Sequence, residues 1–390
     1  MSPPRAMVIS LFLIFTFVCG ILPPMGGEPT PPQSDGGRSR GTIVVNASGG
    51  GDYTHIQWAI DNASDGDTIK IHPGIYYENL VIDVSIQLVG TSKLNTIIDG
   101  QEQDTSILVL NDSVTIMNVN VINSGKNRED SGIMVSKNGK CIVRNCTINN
   151  HLRGIWLGGW RGVHFPKINN TIENNIISNN SFGILSEYSD YNQINNNSCF
   201  NNGIGISLND SNRNIVVNNS CYQNRWYGIS ALASSNNNIV RNLVYQNNNT
   251  GISSYWSNSN SLINNTLSNN GNGIRLGGTK FHTLYNNKLE NNGITLSDND
   301  DLNELLTHTM DVSNLINGKP LYYWKNVTGG SIPSGAGQII LVNCSEVLVE
   351  NQEIKKISIG IFLGYSSRNT ISRNKCSDNS NGIENCGIQL

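Results

Sequence analysis

The stretch GILSEYSDYNQINNNSCFNNGIGI at residues 183–206 begins and ends on a Gly-Ile pair, and this pair recurs along most of the chain. Successive pairs lie 22, 29, 22, 23, 23, 22, 20, 67 and 22 residues apart, and 67 is close to three of the short intervals. A repeat of this length indicates a solenoid, in which each repeat buries its apolar face only against its neighbours. The glycines of these pairs are Gly132, Gly154, Gly183, Gly205, Gly228, Gly251, Gly273, Gly293, Gly360 and Gly382.

A second pattern inside each repeat reads apolar, two residues, Asn, one residue, apolar. Ile194, Asn197 and Cys199 give one example, and the same pattern surrounds Asn175, Asn219, Asn242, Asn265, Asn287 and Asn374. Short apolar spacing with β-branched residues, interrupted by Gly, Asn or Ser, predicts short strands rather than helices. Strands that stack every 22 residues form an all-β, single-stranded parallel β-helix, with coils about 4.8 Å apart. Each Asn shares a face with the apolar residue that follows, so we expect a buried ladder of bonded amides. The Gly before each Ile is expected at a corner that needs a positive φ or a close backbone approach.

Composition excludes several function classes. The chain has 390 residues, a formal charge of -3 and 14% charged residues, so it is neither basic enough for nucleic acid nor acidic enough for disorder. Residues 1–22 contain Arg5 and an apolar run, which predicts a signal peptide and an exported protein, with an uncleaved anchor as the alternative. Residues 23–40 are rich in Pro, Gly and Ser and are interpreted as a linker. Residues 41–390 form one domain, with an irregular excursion over 295–345.

Cysteines and glycosylation sequons fit this register. Cys199 and Cys221 hold a position that Val or Leu holds in other coils, so each is either a small buried hydrophobe or one half of a disulfide between stacked coils. Of the thirteen Asn-x-Ser/Thr sequons, three directly precede a ladder Asn and are expected on the outer surface. These three are Asn196, Asn218 and Asn264.

Two segments carry a resemblance to a known family. Gly51-Asp52-Tyr53-Thr54-His55-Ile56-Gln57-Trp58-Ala59-Ile60 and Pro73-Gly74-Ile75-Tyr76-Tyr77-Glu78 resemble the opening of pectin-lyase-like right-handed β-helix proteins. Asn317-Gly318-Lys319-Pro320-Leu321-Tyr322-Tyr323-Trp324 resembles the NosD-type subgroup of that family. The resemblance implies a right-handed helix, a short N-terminal capping helix near residues 55–63, and a carbohydrate-binding or sugar-hydrolase class.

Enzymatic activity requires clustered carboxylates, often with a basic residue. Asp298, Asp300 and Asp301, or residues near Asp190, are the candidates for an acid/base pair, and the first three could instead bind calcium. A solvated loop is the structural alternative for this cluster. Gln103-Asp104-Thr105 echoes a pectin methylesterase motif, without its usual companions.

Copper binding is the function that the NosD resemblance implies. Copper ligands are His, Met or Cys in a cluster, and the candidates here are His308 and Met310, with His282 one repeat earlier. Solvated loop histidines are the alternative interpretation.

Aromatic residues make the physical case for sugar contact. Tyr188, Trp256 and Tyr365 each follow a Gly-Ile glycine by five residues and are therefore expected along one edge of the solenoid. The longer coil between Gly154 and Gly183 adds Trp156 and Trp160. Exposed rings offer flat apolar faces to a sugar, although such rings can also shield strand ends. The hypotheses in order are a non-catalytic module that binds a polysaccharide or a cell-envelope glycan, a glycoside hydrolase or polysaccharide lyase, and a periplasmic copper-maturation protein.

Overall fold

The protein is an all-β parallel solenoid of about 14 turns with two short helices. A computed structural model describes residues 41–136, 139–158, 169–297, 300–379 and 388–389. Each regular coil contributes one strand to each of three sheets, here named A, B and C in the order in which the coil passes through them. The solenoid predicted from the Gly-Ile and Asn patterns is therefore confirmed.

The strands of each sheet pair in chain order. Sheet A contains Thr42–Val45, Thr68–Ile71, Gln87–Gly90, Thr115–Met117, Ile142–Arg144, Thr171–Glu173, Gln193–Asn195, Ile215–Val217, Asn238–Val240, Ser261–Ile263, Thr283–Tyr285 and Thr309–Met310. Sheet B contains Gly74–Tyr76, Thr96–Asp99, Asn120–Ile122, Thr147–Asn149, Ile176–Ser178, Ser198–Phe200, Ser220–Tyr222, Leu243–Tyr245, Thr266–Ser268, Lys288–Glu290, Leu315–Ile316, Lys319–Lys325, Gln338–Val342, Ile361–Gly364 and Ile388–Gln389. Sheet C contains Leu80–Ile82, Ile107–Val109, Ser131–Val135, Arg153–Gly158, Phe182–Glu187, Ile204–Asn209, Tyr227–Leu232, Thr250–Tyr255, Asn272–Gly277 and Ile294–Leu296. Two further pairs are Leu348–Glu350 with Thr370–Ser372 and Glu353–Lys355 with Lys375–Ser377.

Stacked aliphatic side chains form the core. The isoleucines of the Gly-Ile pairs lie in register from coil to coil, as Ile184 pairs with Ile206 and Ile206 with Ile229. All three are fully buried. Because side chains alternate across a strand, every second residue of sheet C enters this core and the residues between them form its outer face.

The glycine of each pair is needed for a close backbone approach. A Cβ at Gly183 would lie 2.5 Å from the carbonyl oxygen of Gly205, and one at Gly205 would lie 2.6 Å from that of Gly228. Neither glycine has a positive φ, so the predicted corner geometry is wrong and the predicted close approach is confirmed. The left-handed corner positions are held mainly by Asn, such as Asn196 and Asn218.

Three amide ladders run inside the solenoid, where the sequence pattern predicted one. In the predicted ladder, Asn197 donates to Asn219 at 3.0 Å and Asn219 donates to Asn242 at 3.1 Å. These side chains are buried, and every amide also bonds backbone groups, which offsets the cost of removing it from water. The second ladder contains Asn170, Asn192, Asn214, Asn237 and Asn260, and the third contains Asn180, Asn202, Asn224, Asn247, Asn270 and Asn292.

The N-terminal end is covered by helix α1, Ile56–Asp61, as the family resemblance implied. Ile56, Ala59 and Ile60 of α1 are buried against the first coils. The carboxylate of Glu78 accepts the N–H groups of Ile56 and Gln57 at 2.9 Å each. A carboxylate is favourable there because the first turn of a helix leaves its N–H groups unpaired.

The segment 295–345 contains helix α2, Leu302–Thr307, and several strands. Thr309–Met310 and Leu315–Ile316 continue sheets A and B by one coil, and Lys319–Lys325 then turns back antiparallel to Leu315–Ile316. Gln338–Val342 pairs with Lys319–Lys325 and starts the final coils. The excursion is thus built largely of paired strands.

Cysteine thiols lie in the core. Cys199 and Cys221 are in register and fully buried, with free thiols.

The three sequon residues that precede Asn residues of the predicted ladder are exposed, as predicted, and all have a left-handed φ: Asn196, Asn218 and Asn264. Neither α1 nor α2, the helices in the described part of the chain, has the length and apolar character of a membrane-spanning segment.

Candidate functional site

The outer face of sheet C carries the most varied chemistry of the described residues. Ile155 and Leu157 enter the core, so Trp156 between them lies on the outer face. Along the same column of the sheet, Trp156 is followed by Leu185 and then by serines. These serines are Ser207, Ser230 and Ser253.

The N-terminal part of this face is apolar. Trp156 packs with Met134 and Leu185 in a cluster separate from the main core. The guanidinium of Arg153 lies 4.3 Å from the ring centroid of Trp156, a cation–π distance. Trp156 is predicted as an exposed sugar platform, and the structure instead buries it.

A carboxyl pair lies beside this cluster, at the turn into sheet C. Asp130 is buried, and the carboxyl of Asp104 lies near enough to affect its ionisation. Burial, together with the Asp104 carboxyl, raises the pKa of Asp130. Asp130 Oδ2 accepts the N–H of Asn127 at 2.7 Å, and a Cβ at Gly125 would lie only 2.1 Å from that oxygen. The pair therefore occupies a site that only glycine at 125 leaves open.

Unpaired donors adjoin the carboxyl pair. Ser131 is in register with Arg153, and the Ser131 hydroxyl, Arg153 Nε and Trp156 Nε1 are buried without a hydrogen-bond partner. Burial lowers the pKa of Arg153, which Glu187 partly opposes. Buried donors of this kind are normally bonded, so their grouping on one face points to a contact with water or a ligand.

The predicted aromatic residues lie at the turns after two different sheets. Tyr188 and Trp256 follow strands of sheet C, whereas Tyr365 follows Ile361–Gly364 of sheet B. Tyr188, Trp256 and Tyr365 share the same left-handed conformation, with φ of 52°, 48° and 54°. Trp256 is 67% exposed and Tyr365 is 60% exposed, whereas Tyr188 is half-buried. Tyr188 and Trp256 share one edge, since each donates its backbone N–H to the next coil, Tyr188 to Asn209 and Trp256 to Gly277.

Two glycines in the following coil leave room for the rings of Tyr255 and Trp256. Cδ1 of Trp256 lies 2.5 Å from where a Cβ of Gly278 would be, and Cε2 of Tyr255 lies 2.5 Å from that of Gly277. Both rings therefore lie directly on glycine backbone. The two rings meet edge to face, with centroids 5.1 Å apart.

Asp300 and Trp256 both contact Gly278, so the two side chains lie next to each other. Asp300 Oδ1 accepts the N–H of Gly278 at 2.6 Å, and the Tyr365 hydroxyl donates to the Asp300 backbone oxygen at 3.4 Å. Asp300 is 3% exposed, and its Oδ2 has no hydrogen-bond partner. Burial, with a smaller effect of the Glu304 and Asp301 charges, raises the pKa of Asp300 to about 6. The structure thus brings together three residues that the sequence predicted for different roles.

The predicted catalytic aspartates do not converge. Asp190 accepts the N–H of Asn212. It begins a column of residues, one per coil, that continues through Asn212 to Ser235, Asn258 and Lys280. Asp190 therefore lies about five coils, or roughly 24 Å, from Asp300. Asp301 caps α2 in a reciprocal pair with Glu304. Asp190 therefore cannot share one catalytic groove with Asp300 or Asp301. Asp298 and Trp160 lie outside the described residues, as do residues 1–40.

The predicted copper ligands are core residues. His282 takes the place of Asn in the second ladder, where Nδ1 accepts the N–H of Asn260 and Nε2 bonds Ser254. His308 is the next residue of this ladder, and its Nδ1 accepts the N–H of His282. Met310 packs in the core. Burial lowers the pKa of His282 to about 3 and that of His308 to about 4. Copper at this position would require the ladder to open.

No cluster of three or more His, Cys, Asp or Glu side chains that could hold a metal ion occurs among the described residues. The carboxylates proposed for calcium act instead as hydrogen-bond acceptors: Asp300 for Gly278, and Asp301 for the first turn of α2.

A small polar pocket of about 190 Å³ opens at the turn between sheets B and C. An ion pair of Lys126 with Glu102, 2.6 Å between nitrogen and oxygen, lies at this pocket. His151 forms part of the lining and bonds Ser124 and the Val121 carbonyl. Its polar groups are thus already paired with each other.

Sequence reasoning missed the Asp130 and Arg153 site. Gln103-Asp104-Thr105 was the one motif noted near it, and nothing in that motif connects Asp104 with Asp130 or Arg153, which lie in later coils. The parallel register is what places Ser131 beside Arg153.

Comparisons with known proteins support the fold. Residues 105–267 match the family model described as right handed beta helix region. The structure of XylC with xylose aligns with a TM-score of 0.51 and 10% identity, over 86% of this chain and 86% of that chain. The A-module of the mannuronan C-5 epimerase AlgE4 from Azotobacter vinelandii aligns with a TM-score of 0.46 and 15% identity, over 86% of this chain and 92% of that chain. No curated protein matches the sequence. At these identities the likeness shows the fold alone, and the predicted resemblance to pectin-lyase-like right-handed β-helices is confirmed at that level.

Proposed function

We propose that this right-handed parallel β-helix is a non-catalytic carbohydrate-binding protein that holds an extended polysaccharide or envelope glycan along the outer face of sheet C. The binding surface would run from the serine column to Trp256 and Tyr365. Parallel stacking keeps it straight and rigid, so little conformational entropy is lost when a long ligand binds.

The single observation that carries this proposal is the exposed, left-handed Trp256. A left-handed φ costs an L-residue about 1–2 kcal/mol, and Asn or Gly tolerates it best. Asn, Asp and Gly hold most of the left-handed positions in the described part of the chain, yet Trp256 is 67% exposed and recovers little by burial. Phe281 has the same exposure and backbone conformation, so what distinguishes Trp256 is its place next to Asp300 and Tyr365. A ring beside a carboxyl and a second ring can stack on a sugar and bond its hydroxyls.

The serine column supplies polar groups beside the aromatic residues. Ser207 and Ser253 are recessed, and Asn209 on the same face donates to Glu187 at 3.3 Å. Hydroxyls and amides on a rigid face can exchange hydrogen bonds with sugar hydroxyls, while the rings contact the C–H groups. XylC, one of the known structures with this fold, was determined with xylose, which is consistent with the proposal.

Export to the cell surface or periplasm belongs to this proposal. It rests on the apolar N-terminal run at residues 8–22 and on the exposure of the sequon residues Asn196, Asn218 and Asn264. A glycan attached at these corners would project away from the core and from the outer face of sheet C.

A glycan array with the full chain tests the binding proposal. Trp256→Ala and Tyr365→Ala should each weaken the signal about tenfold, because a stacked aromatic contact is worth about 1–2 kcal/mol. Phe281→Ala is the matched control, since Phe281 is 60% exposed and also left-handed but lies outside the proposed surface. Absence of binding to every polysaccharide, or equal loss with Phe281→Ala, would contradict the proposal.

A polysaccharide hydrolase or lyase is a second candidate, favoured by the Asp104 and Asp130 pair beside Arg153. This is the place among the described residues where two carboxyls and a basic residue meet on one face. Asp130→Asn keeps the oxygen that Asn127 bonds and removes the titrating group. Loss of product release from a polysaccharide in this variant, with Asp190→Asn unaffected, would establish catalysis. Activity that survives the Asp130 substitution would exclude this site.

A further inference from the structure

The carboxyl of Asp300 has an unused acceptor at the proposed glycan surface. Oδ1 is bonded to the N–H of Gly278, and Oδ2 is buried with no partner. An ionised oxygen in this state loses its hydration without a replacement, which is unfavourable. Such a group in a folded protein calls for an explanation, and an absent ligand is one.

The charge around Asp300 is negative. Asp301 and Glu304 lie near enough to raise the pKa of Asp300, and no cationic group acts on it in the opposite direction. These two neighbours bond each other's backbone N–H groups in the α2 capping box, so they do not neutralise the site. None of the ion pairs in the described ranges includes any of the three. A positive group is the missing counterpart.

Two aromatic rings flank this carboxyl. Trp256 lies on Gly278, the residue that donates to Asp300, and Tyr365 bonds the Asp300 backbone oxygen. Exposed aromatic rings attract a cation through their negative faces, and more strongly when water is excluded. We infer that the surface between Trp256 and Tyr365 binds an ammonium group, which makes a glycan with free amino groups the preferred ligand.

This inference rests on the proposed glycan-binding function and specifies its ligand. A divalent metal fits less well, because calcium requires six to eight oxygen ligands and Asp301 and Glu304 are already used as helix caps. A neutral hydroxyl could donate to Oδ2 but would leave the negative charge uncompensated. The protonated amine of a hexosamine unit donates a hydrogen bond to Oδ2, neutralises the charge of the carboxylate and contacts the faces of the two rings.

Calorimetric titration of the full chain tests the inference with two oligosaccharides of equal length, one of glucosamine and one of N-acetylglucosamine. At pH 6.5 the glucosamine oligomer should bind about tenfold more tightly. Asp300→Asn should remove this preference, since Asn keeps the acceptor for Gly278 but carries no charge. Asp190→Asn is the matched control, because Asp190 is also buried and bonds a backbone N–H at 2.6 Å, and it should change nothing.

The wild-type protein provides a second readout that needs no variant. The pKa of Asp300 is about 6, so its ionised fraction, and with it the affinity for the glucosamine oligomer, should rise about eightfold from pH 5 to pH 6.5. Equal affinity for the two oligomers, or no pH dependence, would overturn the inference and leave glycan binding standing. Failure of both oligomers and of every other glycan to bind would overturn the inference and the proposed function together.

Discussion

The side chain of Gln338 bonds both backbone polar groups of Ile294. Oε1 accepts the Ile294 N–H at 2.9 Å, and Nε2 donates to the Ile294 carbonyl at 2.6 Å and to that of Ile359 at 2.9 Å. Ile294–Leu296 is the last strand of sheet C, and Gln338 belongs to a strand on the far side of the excursion. One amide side chain therefore takes the place of a backbone pairing where the regular solenoid ends.

Gln338→Leu should lower the free energy of unfolding by about 2–4 kcal/mol, because it leaves the buried N–H and C=O of Ile294 unpaired. Chemical denaturation measures this change. Gln246→Ala is the control, since the Gln246 side chain is exposed and should alter stability by less than about 0.5 kcal/mol. Equal effects of the two substitutions would mean that the Gln338 bonds contribute nothing.

Asn219→Leu should destabilise the protein by about 3 kcal/mol or more. The Asn219 side chain accepts from Asn197 and donates to Asn242 and to the Ile194 carbonyl, so several buried groups would lose partners at once. The neighbouring residue offers a matched control, because Asn218 is exposed with a φ of 56° and Gly suits that conformation. Thermal unfolding of Asn218→Gly should therefore stay close to wild type, and a large loss there would contradict the assigned register.

Stability should fall as the pH decreases from 6.5 to 5. Burial lowers the pKa of His282 to about 3 and that of His308 to about 4, both below the unfolded value. Between these pH values the unfolded chain binds protons that the folded one does not, so each histidine removes about 2 kcal/mol of stability over this range. Below the folded pKa the loss stops.

The variant His282→Asn provides the check on this pH dependence, since Asn is the residue that this ladder uses in the preceding coils. It should keep the ladder and flatten the curve of unfolding free energy against pH. An unchanged slope would show that His282 does not titrate with unfolding.

Cys221→Val should change stability by less than about 1 kcal/mol, because the position is apolar and the next coil holds Val244. Burial and contact with Cys199 raise the pKa of the Cys221 thiol, so both thiols should resist a maleimide until the protein unfolds. The disulfide that the sequence leaves open would appear as a mass lower by two hydrogens in protein isolated without reductant. Rapid labelling of the folded protein would contradict the buried position.

The repeat was predictable because residues that stack on each other in neighbouring coils recur in the sequence at a nearly constant interval. The Gly-Ile period gave the coil length, and the spacing of Asn197 and Asn219 gave the ladder. Two further ladders carry the same signal at Asn170 and Asn180, and they follow from the period once the first is aligned.

The site was predictable only in part. The common spacing from the Gly-Ile pairs predicted Trp256 and Tyr365 on one edge, and in the structure both lie next to Asp300 and Gly278. It could not show that Trp156 is buried, because burial on an outer face depends on what packs over it. The sequence pattern suggested copper binding for His282 and a hydrogen-bonded ladder for the asparagines. In the structure His282 accepts a backbone N–H, as the ladder asparagines do.

Local pattern alone determined the solenoid, its coil length and which side chains point inward, since each of these depends only on residues one period apart. Tertiary structure decided the chemistry of the surface. Asp300 meets Trp256 through Gly278, and Asp130 meets Asp104, because stacked coils bring together residues that no short motif connects. The physical reason is that the repeat specifies the distance between coils, whereas the charge and burial at a surface point depend on side chains from several coils and from the excursion.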